Sequence, residues 1–159
     1  MKKLLFFFLS IFLINPIVNG QCEPQEETDT YRNRAYAKGT VSCGEKEGVW
    51  KYYDRIDRLI KRIIYKAGQF DGEYMIWYKT GKKKSTTVYK SGQLNGIDSR
   101  WAADGDLIEE TNYKDGLHHG VSKIWTENGI LISSTTYANG SKSGGFELYW
   151  GNALTKERG

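Results

Sequence analysis

The strongest constraint on this chain is a 24-residue period that runs without insertion from Gly48 to Gly144. Glycines fall at Gly48, Gly72, Gly96, Gly120 and Gly144, and an aromatic stands five residues after each, at Tyr53, Trp77, Trp101, Trp125 and Tyr149. A tyrosine follows at Tyr65, Tyr89, Tyr113 and Tyr137, with a further glycine three residues later at Gly68, Gly92, Gly116 and Gly140. A fixed period of this length marks a stack of small supersecondary units, each of which buries its apolar side only against its neighbours.

Within a unit, strand-like runs alternate with turn signals. The run beginning at Gly72 ends in Lys79-Thr80-Gly81, and its counterparts end in Ala103-Asp104-Gly105 and Glu127-Asn128-Gly129. Asp-Gly and Asn-Gly tolerate positive φ at both positions, so these sites are read as tight hairpin turns. The second run, as in 106–113 and 130–137, is rich in Thr, Ile and Tyr, which favour the pleated backbone. A looser turn of the form Tyr-x-x-Gly-x-x-x-Gly then leads to the next unit. The expected fold is all-β: an extended antiparallel meander of 24-residue hairpins, preceded by a signal peptide.

The first unit departs from the pattern, because Asp57 replaces the turn glycine. Leu59, Ile60, Ile63 and Ile64 could line a short helix over 54–64, whereas the unbroken spacing favours a distorted hairpin. Tyr31 to Val41 reads as a worn leading half-unit.

The N-terminus has the layout of an export signal: Lys2 and Lys3, an apolar run from Leu4 to Ile14, then Asn15-Pro16 and a small-residue exit with cleavage after Gly20. The run is short for a membrane span, which needs about 20 apolar residues, though an uncleaved anchor is the alternative. Residues 21–35 are polar and acidic and read as a tether, and residues 36–159 as the repeat domain. Cys22 and Cys43, the only cysteines, form a candidate disulfide in an oxidising compartment. The rival for Cys22 is lipidation, against which Gln21 stands where a small residue is wanted.

With glycines, an aromatic and Tyr-x-x-Gly in these columns, residues 48–150 resemble the variant MORN repeat of the bacterial YwqK-type antitoxin family. The resemblance implies a sheet of successive hairpins that binds another protein or, in eukaryotic relatives, membrane lipid, and it carries over no catalytic residue. An exported antitoxin would meet an extracytoplasmic partner, which suits an immunity-like or envelope role.

The residues offer little chemistry. His118 and His119 are adjacent, so on a strand they point to opposite faces, and a solvated turn is expected rather than a metal site. Thr80-Gly81-Lys82-Lys83-Lys84-Ser85 has no leading glycine at Ile76 and no Ser or Thr at Lys83, so it is not a phosphate-binding loop. Glu109 and Glu110 are strand neighbours and do not converge. No cofactor and no enzymatic activity are expected.

Charge is uneven. Residues 51–90 hold eleven Lys/Arg against four Asp/Glu, net +7, whereas residues 91–159 hold six against nine, net −3. Lys79, Lys82, Lys83 and Lys84 are therefore a candidate patch for anionic lipid or envelope polysaccharide, with a solvated lysine-rich turn as the alternative. Export and a small net charge argue against nucleic acid. Trp77, Trp101, Trp125, Tyr89, Tyr113 and Tyr137 are the candidate face for a protein partner, since a single-layer sheet leaves rings accessible. The last run, Gly145 to Trp150, is expected to leave an edge open to a partner strand or a second copy.

Overall fold

The computed structural model describes residues 17–18, 21–30, 35–150 and 155–158. Most of the stretch read as an export signal, its expected cleavage point included, and residues 31–34 lie outside the described residues. Every element among them is a strand: β1 (Ile17–Val18), β2 (Gln21–Cys22), β3 (Gln25–Thr30), β4 (Tyr36–Ser42), β5 (Glu45–Tyr53), β6 (Leu59–Lys66) and β7 (Gln69–Trp77). The series continues with β8 (Lys83–Lys90), β9 (Gln93–Trp101), β10 (Leu107–Lys114), β11 (Leu117–Trp125), β12 (Leu131–Ala138), β13 (Ser141–Trp150) and β14 (Thr155–Arg158). β1 pairs only with β2, and β3 to β14 form one antiparallel twelve-stranded sheet in which each strand lies beside its sequence neighbours. The all-β meander is as expected, and β5, β7, β9, β11 and β13 start at 24-residue intervals.

The turns exchange the roles read from sequence. The tight turns lie between units, at Ala67-Gly68, Ser91-Gly92, Asp115-Gly116 and Asn139-Gly140, where both residues have positive φ and the flanking strands pair at once, as Lys90 does with Gln93. Mirror-image two-residue turns match the right-handed twist of the strands. Asp104-Gly105 and Asn128-Gly129 lie instead in the looser loops: Ala102 donates to the Asp106 carbonyl at 2.8 Å, and of Asp104 and Gly105 only Gly105 has positive φ. In the first unit Asp57 takes that place at φ 62°, and the Asp54 carboxylate accepts from the Ile56 and Arg58 amides. Residues 59–66 are a strand, so the distorted hairpin holds and the helix at 54–64 does not form.

The repeat glycines mark bulges. On β9, residues 95–97 stand opposite the single residue Val88, because Thr87 pairs with Asp98 and Tyr89 with Leu94. A Cβ on Gly96 would lie 2.9 Å from the Val88 Cβ. Bulges of this kind recur at 71–73 and 119–121 and tighten the local twist.

Two expectations at the ends are corrected. Gln25–Thr30, read as tether, is an edge strand paired along its whole length with β4, so the sheet begins near residue 25 rather than 36. Pairing needs only backbone groups, and Asp29 gains an ion pair with Lys46 at 2.9 Å. At the other end β13 is not the edge: Glu147 to Trp150 pair with β14. The β3 edge carries the charged residues Glu26, Glu27 and Asp29, which discourages edge-to-edge addition there.

The most buried cluster sits near the N-terminal edge, around Trp50, Ile63, Tyr52, Tyr65 and Ala37. Trp50 is fully buried although the sheet is one layer thick. Its ring lies flat on the β4 backbone at Gly39, its Nε1 donates to the Thr40 carbonyl at 3.0 Å, and the Lys46 ammonium covers it at 3.7 Å. The sulfurs of Cys22 and Cys43 are bonded, tying the segment before β3 to the β4–β5 turn.

Candidate functional site

Strand alternation divides the candidate aromatic residues between two faces. Tyr74 and Thr87 are cross-strand partners, as are Met75 and Thr86, so Tyr89 shares a side with Thr87 and Tyr74, and Trp77 shares the other with Met75. Tyr89, Tyr113 and Tyr137 thus lie on one face, and Trp77, Trp101 and Trp125 on the reverse. The single aromatic face expected from sequence is split, because five-residue loops and bulges set the parity between columns.

The tyrosine face is mostly used for packing. Tyr65, Phe70 and Tyr89 form a ladder of edge contacts at 5.3 and 5.2 Å between centroids, with Tyr74 alongside. Farther on, His118 stands between Tyr113 and Tyr137 at 4.7 and 4.9 Å. His118 is therefore a rung of the ladder on β11 rather than a residue of a solvated turn. Its column, Phe70, Leu94 and His118, was hidden by its chemical variety, although each stands two residues past a turn glycine. His119 lies in the neighbouring bulge, and no group of three or more His, Cys, Asp or Glu able to hold a metal occurs among the described residues.

Along the middle of this face the apolar core gives way to a polar row. Thr87 donates to the buried Asp98 carboxylate, Arg100 lies 3.5 Å from it, and the Thr111 and Ser122 hydroxyls share a 2.8 Å hydrogen bond. Each group has a partner, which marks a structural network.

Several ionisations follow from packing. Burial, and then the neighbouring Tyr89 and Tyr65, raise the Tyr74 phenol; burial, and then Asp98 and Glu109, raise Tyr113. Lys61 is lowered by burial and then by Lys46, so its penalty is complete at neutral pH and fades as pH approaches 10.5. The tyrosines act in the opposite sense: the stability they contribute is complete below their unfolded value of 10.0 and is lost as pH rises through their folded values. Urea unfolding is expected to show stability declining above pH 10, and Tyr74→Phe is expected to flatten that decline.

The tryptophan face is less occupied with itself. Leu59, Lys83, Leu107 and Leu131 are the cross-strand partners of Tyr53, Trp77, Trp101 and Trp125. A second column on this face consists of the residues that follow the repeat glycines. Val49, Ile97 and Val121 in it are 44, 45 and 38 % exposed. Sequence reading missed this column, although its aliphatic residues fall on the same 24-residue period.

The candidate patch for an anionic partner is placed at a loop and the start of β8, and its lysines are partly engaged. Lys82 donates to the Asp104 carbonyl, Lys83 stands over the Trp101 ring at 4.9 Å, and Lys84 over Tyr78 at 5.6 Å. Lys79 contributes its carbonyl to Arg58 at 3.3 Å.

Two of these hairpins, residues 70–91 and 119–139, match the family model of the MORN repeat variant. The chain carries two segments similar to the MORN repeat variant. The matched segments cover β7–β8 and β11–β12 nearly end to end, and the hairpins between and beside them share their period, turns and bulges. No curated protein matches the chain.

Proposed function

We propose that this MORN-repeat chain is an exported, non-enzymatic protein that binds another protein across its tryptophan face, in an antitoxin-like or immunity-like role. The observation that carries the reading is the set of exposed aliphatic residues Val49, Ile97 and Val121, in a column interrupted by Glu73, on the same face as the tryptophan column. Twelve strands at about 4.8 Å and nine residues at about 3.3 Å give a face of roughly 50 by 27 Å, larger than the ~800 Å² a stable interface uses per partner. A periodic apolar band on such a face is what a partner surface requires. Export is supported by the leader-like N-terminus and by the Cys22–Cys43 bond, which suits an oxidising compartment.

The test is a comparison of the mature chain with an Ile97→Asp, Val121→Asp variant, both immobilised and exposed to envelope extract of the producing cells. One specific protein should be retained by the mature chain and lost by the variant, with circular dichroism unchanged. Retention that survives both substitutions would move the site to the tyrosine face, and retention of no protein at all would end the reading. Anionic vesicles serve as the second arm: binding that depends on Lys79, Lys82, Lys83 and Lys84 would favour lipid or envelope polysaccharide as partner instead.

A further inference from the structure

On the tryptophan face near the N-terminal edge, three cations are opposed in one cross-strand row. Lys38 on β4 pairs with Lys51 on β5, and Lys51 pairs in turn with Arg62 on β6. Like charges directly opposite one another, at a strand separation of about 4.8 Å, destabilise a sheet. Little offsets this repulsion. Among the described residues no carboxylate lies within ion-pair distance of Lys38 or Lys51, and Lys38 has only the Tyr36 ring, 5.1 Å away. Arg62 pairs with Glu73 through Nη2, but its Nε is buried without a hydrogen-bond partner.

The row lines a groove of about 520 Å³. Val49, 44 % exposed, borders the cations on one side, and the stacked pair Tyr36–Tyr53, with centroids 4.9 Å apart, borders them on the other. The groove is thus banded apolar, cationic, aromatic. A free anion or a uniformly polar polyanion would use only the middle band. An extended chain turns successive side chains to opposite sides, so one that carries apolar and acidic residues in turn at every second position would use all three. Glu26 and Glu27, on the groove's β3 side, repel such a chain at the sheet edge and confine it to the strands from β4 to β6.

We propose that this groove docks an extended acidic segment of the partner protein, with its carboxylates on Lys38, Lys51 and Arg62 and its apolar side chains on Val49 and Tyr53. The proposal rests on the protein-binding reading above and adds the chemistry of the segment that is held. The opposed lysines are then explained: the bound carboxylates supply the counter-charge that no ion pair of the described residues gives Lys38 and Lys51.

The probe is a fluorescently labelled peptide of repeating Leu-Ser-Glu-Ser, which in extended form puts its leucines and carboxylates on one side, titrated with the mature chain and followed by anisotropy. Replacing Lys38 and Lys51 together by Gln is expected to weaken binding about tenfold or more, and raising the salt to weaken wild-type binding, because the contacts are partly screened. Replacing Lys82 and Lys83 by Gln should change it by no more than about twofold. The thermal midpoint of the Lys51→Gln protein should equal or exceed that of the wild type, since a repulsive pair is removed. Unchanged binding in the double variant, or a lowered midpoint for Lys51→Gln, overturns the proposal. So does uptake of polygalacturonate or phosphatidylglycerol vesicles as tight as that of the peptide, which would make the groove a general anion surface. These outcomes leave the broader reading standing as long as the Ile97 and Val121 substitutions still abolish partner retention.

Discussion

Trp50→Ala is expected to lower the unfolding free energy by about 3 to 5 kcal/mol, the range for emptying a large aromatic site. Gly39→Ala should remove the same packing from the opposite side. A Cβ at Gly39 would stand 2.4 Å from the Trp50 ring, and the ring has little room to retreat while Lys46 covers it and Thr40 holds its Nε1. Forcing an extra methyl into a filled site costs about 1 to 3 kcal/mol, and here the upper end is expected because the contact is with a rigid bicycle. The two substitutions should be strongly coupled. In a Trp50→Ala background Gly39→Ala should cost almost nothing, since the atoms it would strike are gone. Urea unfolding of the four proteins measures this, and an equal Gly39→Ala penalty in both backgrounds would show that Trp50 does not rest on Gly39. The stakes reach beyond the pair, because Ile63, Tyr52 and Tyr65 pack around the same indole and carry Lys51 and Arg62 on the reverse of their strands.

The sequence made the period, the strands and the meander legible, because glycine and aromatic columns at a constant interval admit few architectures. It did not show which turn is tight. Asp104-Gly105 and Asn128-Gly129 carry the strongest tight-turn dipeptides, but Asp115-Gly116 and Asn139-Gly140 carry them equally, and only the backbone shows both residues of the second pair at positive φ. That exchange is also why the faces were merged: loop length and bulges decide whether Trp77 and Tyr89 point the same way, and neither is written in composition. Trp50 escaped notice for a different reason. Its column runs Trp50, Tyr74, Asp98, Ser122, so this fully buried tryptophan lies outside the periodic aromatic positions, while Trp77, Trp101 and Trp125 within them are only partly covered. Of the candidate site, Trp77, Trp101 and Trp125 were visible as a column, but the aliphatic column beside them and the opposed cations require knowing which residues meet across strands.

Gly96→Ala is expected to cost about 3 kcal/mol, adding backbone strain to crowding against Val88. At φ 129° Gly96 lies where residues with a side chain rarely go, and its Cβ would meet the Val88 Cβ at 2.9 Å. Gly48 occupies the same column but has φ 64° and open space where a Cβ would stand, so Gly48→Ala should cost only about 1 kcal/mol. Adding Val88→Ala to Gly96→Ala would relieve the crowding and leave the strain, which separates the two contributions by unfolding measurements on the single and double variants. Equal penalties at Gly48 and Gly96 would show that the repeat glycine serves only as a flexible joint. The difference matters for binding because the bulge at 95–97 fixes register between β8 and β9. A one-residue slip there would move every side chain of one strand to the opposite face. Ile97 and Trp101 would leave the tryptophan face while Asp98 lost Thr87, so the repeat glycine holds that face together.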